Sequence, residues 1–182
     1  MKIIKRLWTE KEGVTYRGKY YGVQGAVCEP KPLQKPHPPI MVGAWKPLML
    51  EAVAELADIW DMGGDPSLET YKEKLAILEE KCSRLGRPFE SLKKSLHGHI
   101  LIGPTEQRVR EIKRRIERGW GGAYGTLRGY AYGRMDRIIS GTPDQCVERL
   151  GSFVDVGVSQ FIFIFLDFPS LEGIRLLAEK VI

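Results

Sequence analysis

From Pro39 onward the apolar positions fall into a repeating rhythm. Short apolar runs alternate with longer segments whose apolar residues recur every three or four positions. Ile40-Met41-Val42 predicts a strand, and Lys46 to Ala57 a helix after it. Ile59-Trp60-Asp61-Met62 predicts the next strand. The segment that follows carries Leu68, Tyr71, Leu75, Leu78, Cys82 and Leu85 on one helical face. Ser95 to Ile102 predicts a third strand, followed by a basic helix with Val109, Ile112 and Ile116 as its inner stripe. The next helix opens at Thr142-Pro143-Asp144-Gln145. Thr142 can serve as N-cap, Pro143 suits the first helical position, and Gln145 completes a capping box. Gly157 can end that helix. Phe161 to Leu166 (FIFIFL) has no polar alternation, so the pattern predicts a strand buried on both faces under helices. Ser170 to Val181 is the last expected helix.

The first 38 residues follow a different pattern. Residues 3 to 9 read as the end of an amphipathic helix with nothing before them to cap its start, as if the chain began inside an element. Val14 to Val23 reads as a small hairpin turning at Arg17-Gly18-Lys19. Five of the eleven prolines (Pro30, Pro32, Pro36, Pro38 and Pro39) then form a stiff extended connector. The expected organisation is therefore a helix, hairpin and Pro-rich connector over 1–38, and four βα units over 39–182. Each unit takes about 36 residues, close to the ~31 of a (β/α)8 barrel. The fold class this predicts is α/β, as the C-terminal half of a TIM barrel with four parallel βα units. An open doubly wound sheet is the competing arrangement.

Composition narrows the setting. The chain has 182 residues, and its longest apolar run falls short of the ~18 that a membrane-spanning helix needs. Its start, Met1-Lys2-Ile3-Ile4-Lys5-Arg6, does not resemble a secretory signal. Three widely spaced cysteines suggest neither a disulfide framework nor a metal site. These readings imply a cytoplasmic protein without a metal. The absence of Asn beside abundant Lys, Arg and Glu fits a thermophile. The net charge of +5 resides entirely between Thr105 and Arg137, where nine basic residues face four acids. That excess could meet phosphate or nucleic acid, but a solvated helix face accounts for most of it.

Candidate chemistry is sparse, and the residues single out no catalytic group. The Gly119–Gly125 segment fails the dinucleotide fingerprint, because its third glycine is out of register and it follows a helix. It reads as a loop whose Trp120, Tyr124, Tyr130 and Tyr132 could stack on a flat ligand. His97 and His99 share one face of a strand. With three apolar residues still to follow, they read as polar filling of a barrel interior, and no third metal ligand is signalled. Cys82 and Cys146 sit at inward helical spacings and read as core. Two small-residue turns are more informative. Gly43-Ala44 and Gly63-Gly64 each follow a strand and precede a helix. Glycine there lets backbone N–H groups approach an anion, so the pair forms a candidate cradle for a phosphate or a flavin.

The order of motifs then resembles a known family. Leu7-Trp8, Val14 to Tyr21 (VTYRGKYY), Pro30 to Gly43 (PKPLQKPHPPIMVG), Ala57-Asp58-Ile59-Trp60, Gly141-Thr142-Pro143-Asp144 and Ala178-Glu179-Lys180-Val181 are similar to the bacterial-luciferase-like flavin-dependent oxidoreductases. The deazaflavin-using branch is nearest in character. The resemblance implies a TIM barrel holding FMN or the deazaflavin coenzyme F-420 at the C-terminal strand ends. It implies hydride transfer between that ring and a small organic substrate, in a luciferase-like monooxygenase or oxidoreductase. It assigns cofactor-phosphate contacts to Gly43 and Ala44, and by position to Gly63 and Gly64. The family's first four strands, with its catalytic residues, have no counterpart among these residues. The expected partner is therefore a second copy, forming a homo-oligomer, or a separate N-terminal half. A non-catalytic relative acting as an assembly partner, and a basic phosphate or nucleic-acid binder, are the alternatives.

Overall fold

The computed structural model describes residues 1–118 and 136–182, and all structural statements concern those residues. The stacking loop expected from Trp120 to Tyr132 lies outside them. The chain opens with helix α1 (Lys2–Thr9) and a hairpin of β1 (Val14–Arg17) and β2 (Gly22–Ala26). The alternation from 39 onward becomes β3 (Met41–Gly43), α2 (Pro47–Leu56), β4 (Ile59–Met62), α3 (Leu68–Arg84), β5 (Lys93–Ile102) and α4 (Glu106–Glu117). Then come β6 (Ile139–Gly141), α5 (Pro143–Val154), β7 (Val158–Phe165) and α6 (Glu172–Lys180). Thr142 with Gln145 forms the capping box of α5, as the sequence indicates, and Ser67 accepts from the Thr70 amide at the start of α3. Gly157, at φ +95°, donates its amide to the Val154 carbonyl just past the end of α5.

All strands of the main sheet are parallel. Met41–Gly43 lies against Ile59–Asp61, and Ile59–Met62 lies against Lys93–Leu96. Leu96 faces both Met62 and Phe161, so β4 and β7 flank β5 on opposite edges. Ile100 likewise faces both Ile139 and Phe165, which puts β6 on the β4 edge, farther along β5. The four long-spaced strands therefore stand as β3-β4-β5-β7, in the order of the chain. A doubly wound sheet reverses its strand order part-way. This sheet does not, and it is half of a (β/α)8 barrel. The short strand β6 is an addition to the four expected strands. Its three residues, Ile139-Ser140-Gly141, give too little pattern to separate them from a turn.

The core lies on the helix side of the sheet. Trp60, Met62, Leu96, Ile100 and Ile102 are buried against α2 and α3 residues such as Leu50, Val53, Tyr71 and Leu78. Trp60 and Tyr71 pack at 4.9 Å between ring centroids, and Phe153 meets Tyr71 edge-on at 5.6 Å. Behind α4, Val109 and Ile112 are buried against Leu101. Its basic face is partly neutralised, since Arg108 pairs with Glu172 at 3.0 Å and Arg110 with Glu106 at 3.2 Å. Lys2 pairs with Glu55 and ties the first 38 residues to α2, and within them Lys31 donates to the Leu7 carbonyl.

The opposite sheet face differs from the expectation at β7. Phe161 to Leu166 are all only half-buried. Phe161, Phe163 and Phe165 lean on the helix-side core, while Ile162 and Ile164 project from the other face and Leu166, just past the strand end, packs on the Leu101, Val109 and Ile112 cluster. Met41 and Gly43 are exposed on that face too. The uniform run of apolar residues thus records two apolar environments, one of which is only partly filled here.

Cys82 and Cys146 are core residues, as their spacing predicts. Burial pushes both thiols up, Cys146 to about 11, which suppresses the reactive thiolate at neutral pH. Iodoacetamide should therefore label Cys28 in the native protein. Cys82 and Cys146 should react on the order of a hundredfold more slowly than a free thiol, until denaturant exposes them. Mass mapping of the labelled peptides checks this.

Candidate active site

The inward sheet face carries a polar cluster built by register. Gly43 lies opposite Asp61, and Asp61 opposite Ser95. The buried Asp61 carboxylate accepts a 2.8 Å hydrogen bond from Ser95 Oγ at Oδ1. Its Oδ2 faces His97 Nδ1 at 3.8 Å, within ion-pair range but too long for a direct hydrogen bond. Behind Ser95, the buried Tyr71 hydroxyl donates to the Ser95 carbonyl at 3.2 Å. Burial, reinforced by the Asp61 charge, pushes that hydroxyl up and keeps it protonated.

A second Asp–His pair lies one step along β5. Asp65 follows Gly64, and both have left-handed backbones at φ +54° and +84°. Asp65 projects its carboxylate into the gap on the edge of β5, between the end of β4 and the start of β6. There Oδ1 accepts from the His99 amide at 2.6 Å, and Oδ2 faces His99 Nδ1 at 2.8 Å. The carboxylate thus replaces a neighbouring strand, and both side chains are at least 95% buried. Replacing Asp65 with Ala would strand the buried His99 donors. It should cost about 3 kcal/mol of stability, visible as a lower denaturant midpoint, and Asp65→Asn should cost less.

His97 and His99 therefore differ in environment. His99 is buried, consistent with interior filling. The His97 side chain is 41% exposed. The sequence places His97 well short of the end of β5, but β4 stops at Met62, opposite Leu96. Gly63 is consequently level with His97, and a Cβ on Gly63 would lie 3.4 Å from His97 Nδ1. His97 stands in the plane of the β4 strand end. Asp61, Ser95 and Asp65 escape a reading of motifs, because their partnership depends on register. Alternation along β4 and β5 does place Asp61, Ser95 and His97 on one face.

The two expected glycine turns also differ. Gly43 fits close approach by a ligand: the direction of its missing Cβ has no atom within 4 Å. The Ala44 amide donates to the Asp61 carbonyl at 3.2 Å, and the Ala44 carbonyl accepts from Trp60 Nε1 at 3.0 Å. Ala44 is buried beneath the turn. Gly63 and Gly64 are partly exposed beside Asp65. Among the described residues, no group of three or more His, Cys, Asp or Glu side chains is arranged to hold a metal ion, and no helix is long and apolar enough to cross a membrane.

Parallel units wound in one direction thus bring the glycine turns and the Asp61–His97 contact to adjacent strand ends of one sheet face. Residues 1–160 match the family model of the luciferase-like monooxygenases, and the chain belongs to that family. It is 27% identical to an F-420-dependent glucose-6-phosphate dehydrogenase from Microbacterium testaceum (strain StLB037), covering 99% of this chain and 57% of that protein. Two solved structures share the fold. One is an F-420-dependent secondary alcohol dehydrogenase holding an F-420–acetone adduct, with TM-score 0.77, 14% identity, and coverage of 99% of this chain and 58% of that one. The other is the coenzyme F-420-dependent tetrahydromethanopterin reductase of Methanopyrus kandleri, with TM-score 0.76, 20% identity, and coverage of 99% and 60%. The chain thus spans somewhat over half the length of these relatives.

Proposed function

We propose that this chain supplies the C-terminal half of an oxidoreductase site that holds FMN or coenzyme F-420 and a small organic substrate. The observation that carries the reading is that Gly43 and Gly63 stand at neighbouring strand ends, Gly43 opposite Asp61 and Gly63 level with His97. When bound, such a cofactor supplies hydride-accepting or hydride-donating chemistry. The protein's own part is to bind and orient. Gly43, Gly63 and Gly64 offer close backbone approach, with Ala44 as the small buried residue that shapes the first turn. Asp61, fixed by Ser95, holds a charge beside His97. The buried Asp65–His99 pair fixes the loop that carries Gly63 and Gly64.

Two completions of the barrel suit this reading: a second copy of the chain, or a separate N-terminal half. Both would cover the half-buried Ile162 and Ile164. The reading as an enzyme half is favoured over a basic nucleic-acid binder, because Arg108 and Arg110 are engaged in ion pairs. The test is spectral. Purified protein titrated with FMN or F-420 should quench the ligand's fluorescence and shift its visible absorbance. Absence of any interaction with both cofactors would favour a non-catalytic assembly partner.

A further inference from the structure

We propose that Asp61 and His97 together read a hydroxyl group, so that the inward sheet face takes an aliphatic alcohol in preference to the corresponding ketone. This rests on the proposed oxidoreductase site and names the class of its substrate. The two side chains face each other across a gap. Asp61 Oδ2 and His97 Nδ1 are 3.8 Å apart, too far for a direct hydrogen bond. An oxygen about 2.7 Å from both would subtend roughly a right angle there. A hydroxyl can span that gap, donating to the carboxylate and accepting from the ring when Nδ1 carries its proton. The position that a Gly63 Cβ would take lies closest to Nδ1, at 3.4 Å. A side chain at residue 63 would stand against this edge of the ring, and glycine leaves the edge clear. The His97 side chain is accordingly 41% exposed.

Asp61 is fixed as the acceptor of the pair. Ser95 Oγ donates to its Oδ1 at 2.8 Å, so that oxygen is taken and Oδ2 is the one turned to the gap. A buried acceptor selects against whatever leaves it unpaired. An alcohol brings a hydrogen for Oδ2 and a lone pair for the Nδ1 hydrogen. A ketone of similar shape brings lone pairs only and sets its oxygen against the carboxylate. The reduced member of an alcohol–ketone pair is thus the one held more tightly. Water has the chemistry of a hydroxyl, and the neighbouring side chains decide against it. Ile162 lies opposite His97, and Met41 stands on the same face, two residues before the Gly43 that lies opposite Asp61. A short hydrocarbon body covers these apolar side chains while its oxygen fills the gap, and removing their surface from bulk water favours the alcohol.

The test compares cyclohexanol with cyclohexanone. The full-length chain is titrated with each, with and without FMN or F-420, and the His97 ring resonances, assigned by their loss in His97→Ala, are followed by NMR. Cyclohexanol should bind about tenfold or more tightly than cyclohexanone and should shift those resonances. Asp61→Asn keeps a carbonyl for Ser95 and turns an amide N–H to the gap, so it should cancel or reverse the preference by improving the ketone. Gly63→Ala leaves Asp61 and Ser95 intact and puts a methyl group against Nδ1, so it should weaken cyclohexanol. That variant keeps the test decisive if the buried Asp61 substitution does not fold. The proposal is overturned if the ketone binds as tightly as the alcohol, if neither binds, or if Asp61→Asn retains the wild-type preference. Fluorescence titration of the same sample with FMN and F-420 separates the two failures. Cofactor binding without an alcohol preference leaves the oxidoreductase reading standing, whereas binding of neither cofactor nor alcohol overturns both.

Discussion

In light scattering at low micromolar concentration the chain is expected to run as a dimer or larger species, above its own 20.6 kDa. The reason is the unfinished sheet. Among the described residues β3 and β7 each have one strand neighbour, so each presents an outer edge of unpaired backbone groups. Between those edges Met41, Ile162 and Ile164 lie on the sheet face of Asp61 and His97 and are at most half-buried among the described residues. Exposed apolar surface of this kind is stabilised by association, at roughly 25 cal/mol per Å² removed from water. Ile162→Lys puts a charge in the middle of that face, opposite His97. It should shift the species to monomer without unfolding it, since residue 162 does not enter the helix-side core. A wild-type protein that stays monomeric across the micromolar range would count against self-closure.

The second large effect concerns the glycine turns. Gly43→Val and Gly63→Val are both expected to abolish FMN and F-420 binding, and for different reasons. At Gly43 the added atoms enter open space, so the fold should be untouched and any loss reports on ligand approach alone. At Gly63 the valine methyl groups would press on the His97 ring, so altered ring placement adds to the block. Wild-type protein alone should bind weakly and show no substrate-dependent reduction. Hydride transfer needs ring and substrate held at near-attack distance, and this chain provides half of the surrounding wall. Full steady-state turnover by the unaided chain would refute the half-site reading. Unchanged affinity in Gly43→Val would remove that glycine from the site.

Much of this architecture was legible in the sequence, because it rests on local pattern. Tyr71, Leu75, Leu78 and Cys82 are spaced for one helical face and are buried on one. Thr142 and Gln145 announce their capping box three residues apart. What escaped was set by relations between strands. His97 looked deep from its position within β5, and only the earlier stop of β4 brings it level with Gly63. Asp65 carried no signal, since its role depends on the gap that β4 and β6 leave on the β5 edge. The phenylalanine-rich strand misled in one respect: its composition indicates two apolar faces and cannot say what covers each.

The one-way strand order has a consequence for how the chain is made. As the nascent polypeptide emerges, β4 meets β3, β5 meets β4, and β7 meets β5, so each long strand finds its template already present. Each pairing closes a loop of one or two units, and the closure cost rises only slowly with loop length. The sheet can lengthen one unit at a time as residues are added, with α2 and α3 docking behind it before β7 is synthesised. Only β6 breaks the succession, for it must slot in beside the far half of β5, beyond Asp65.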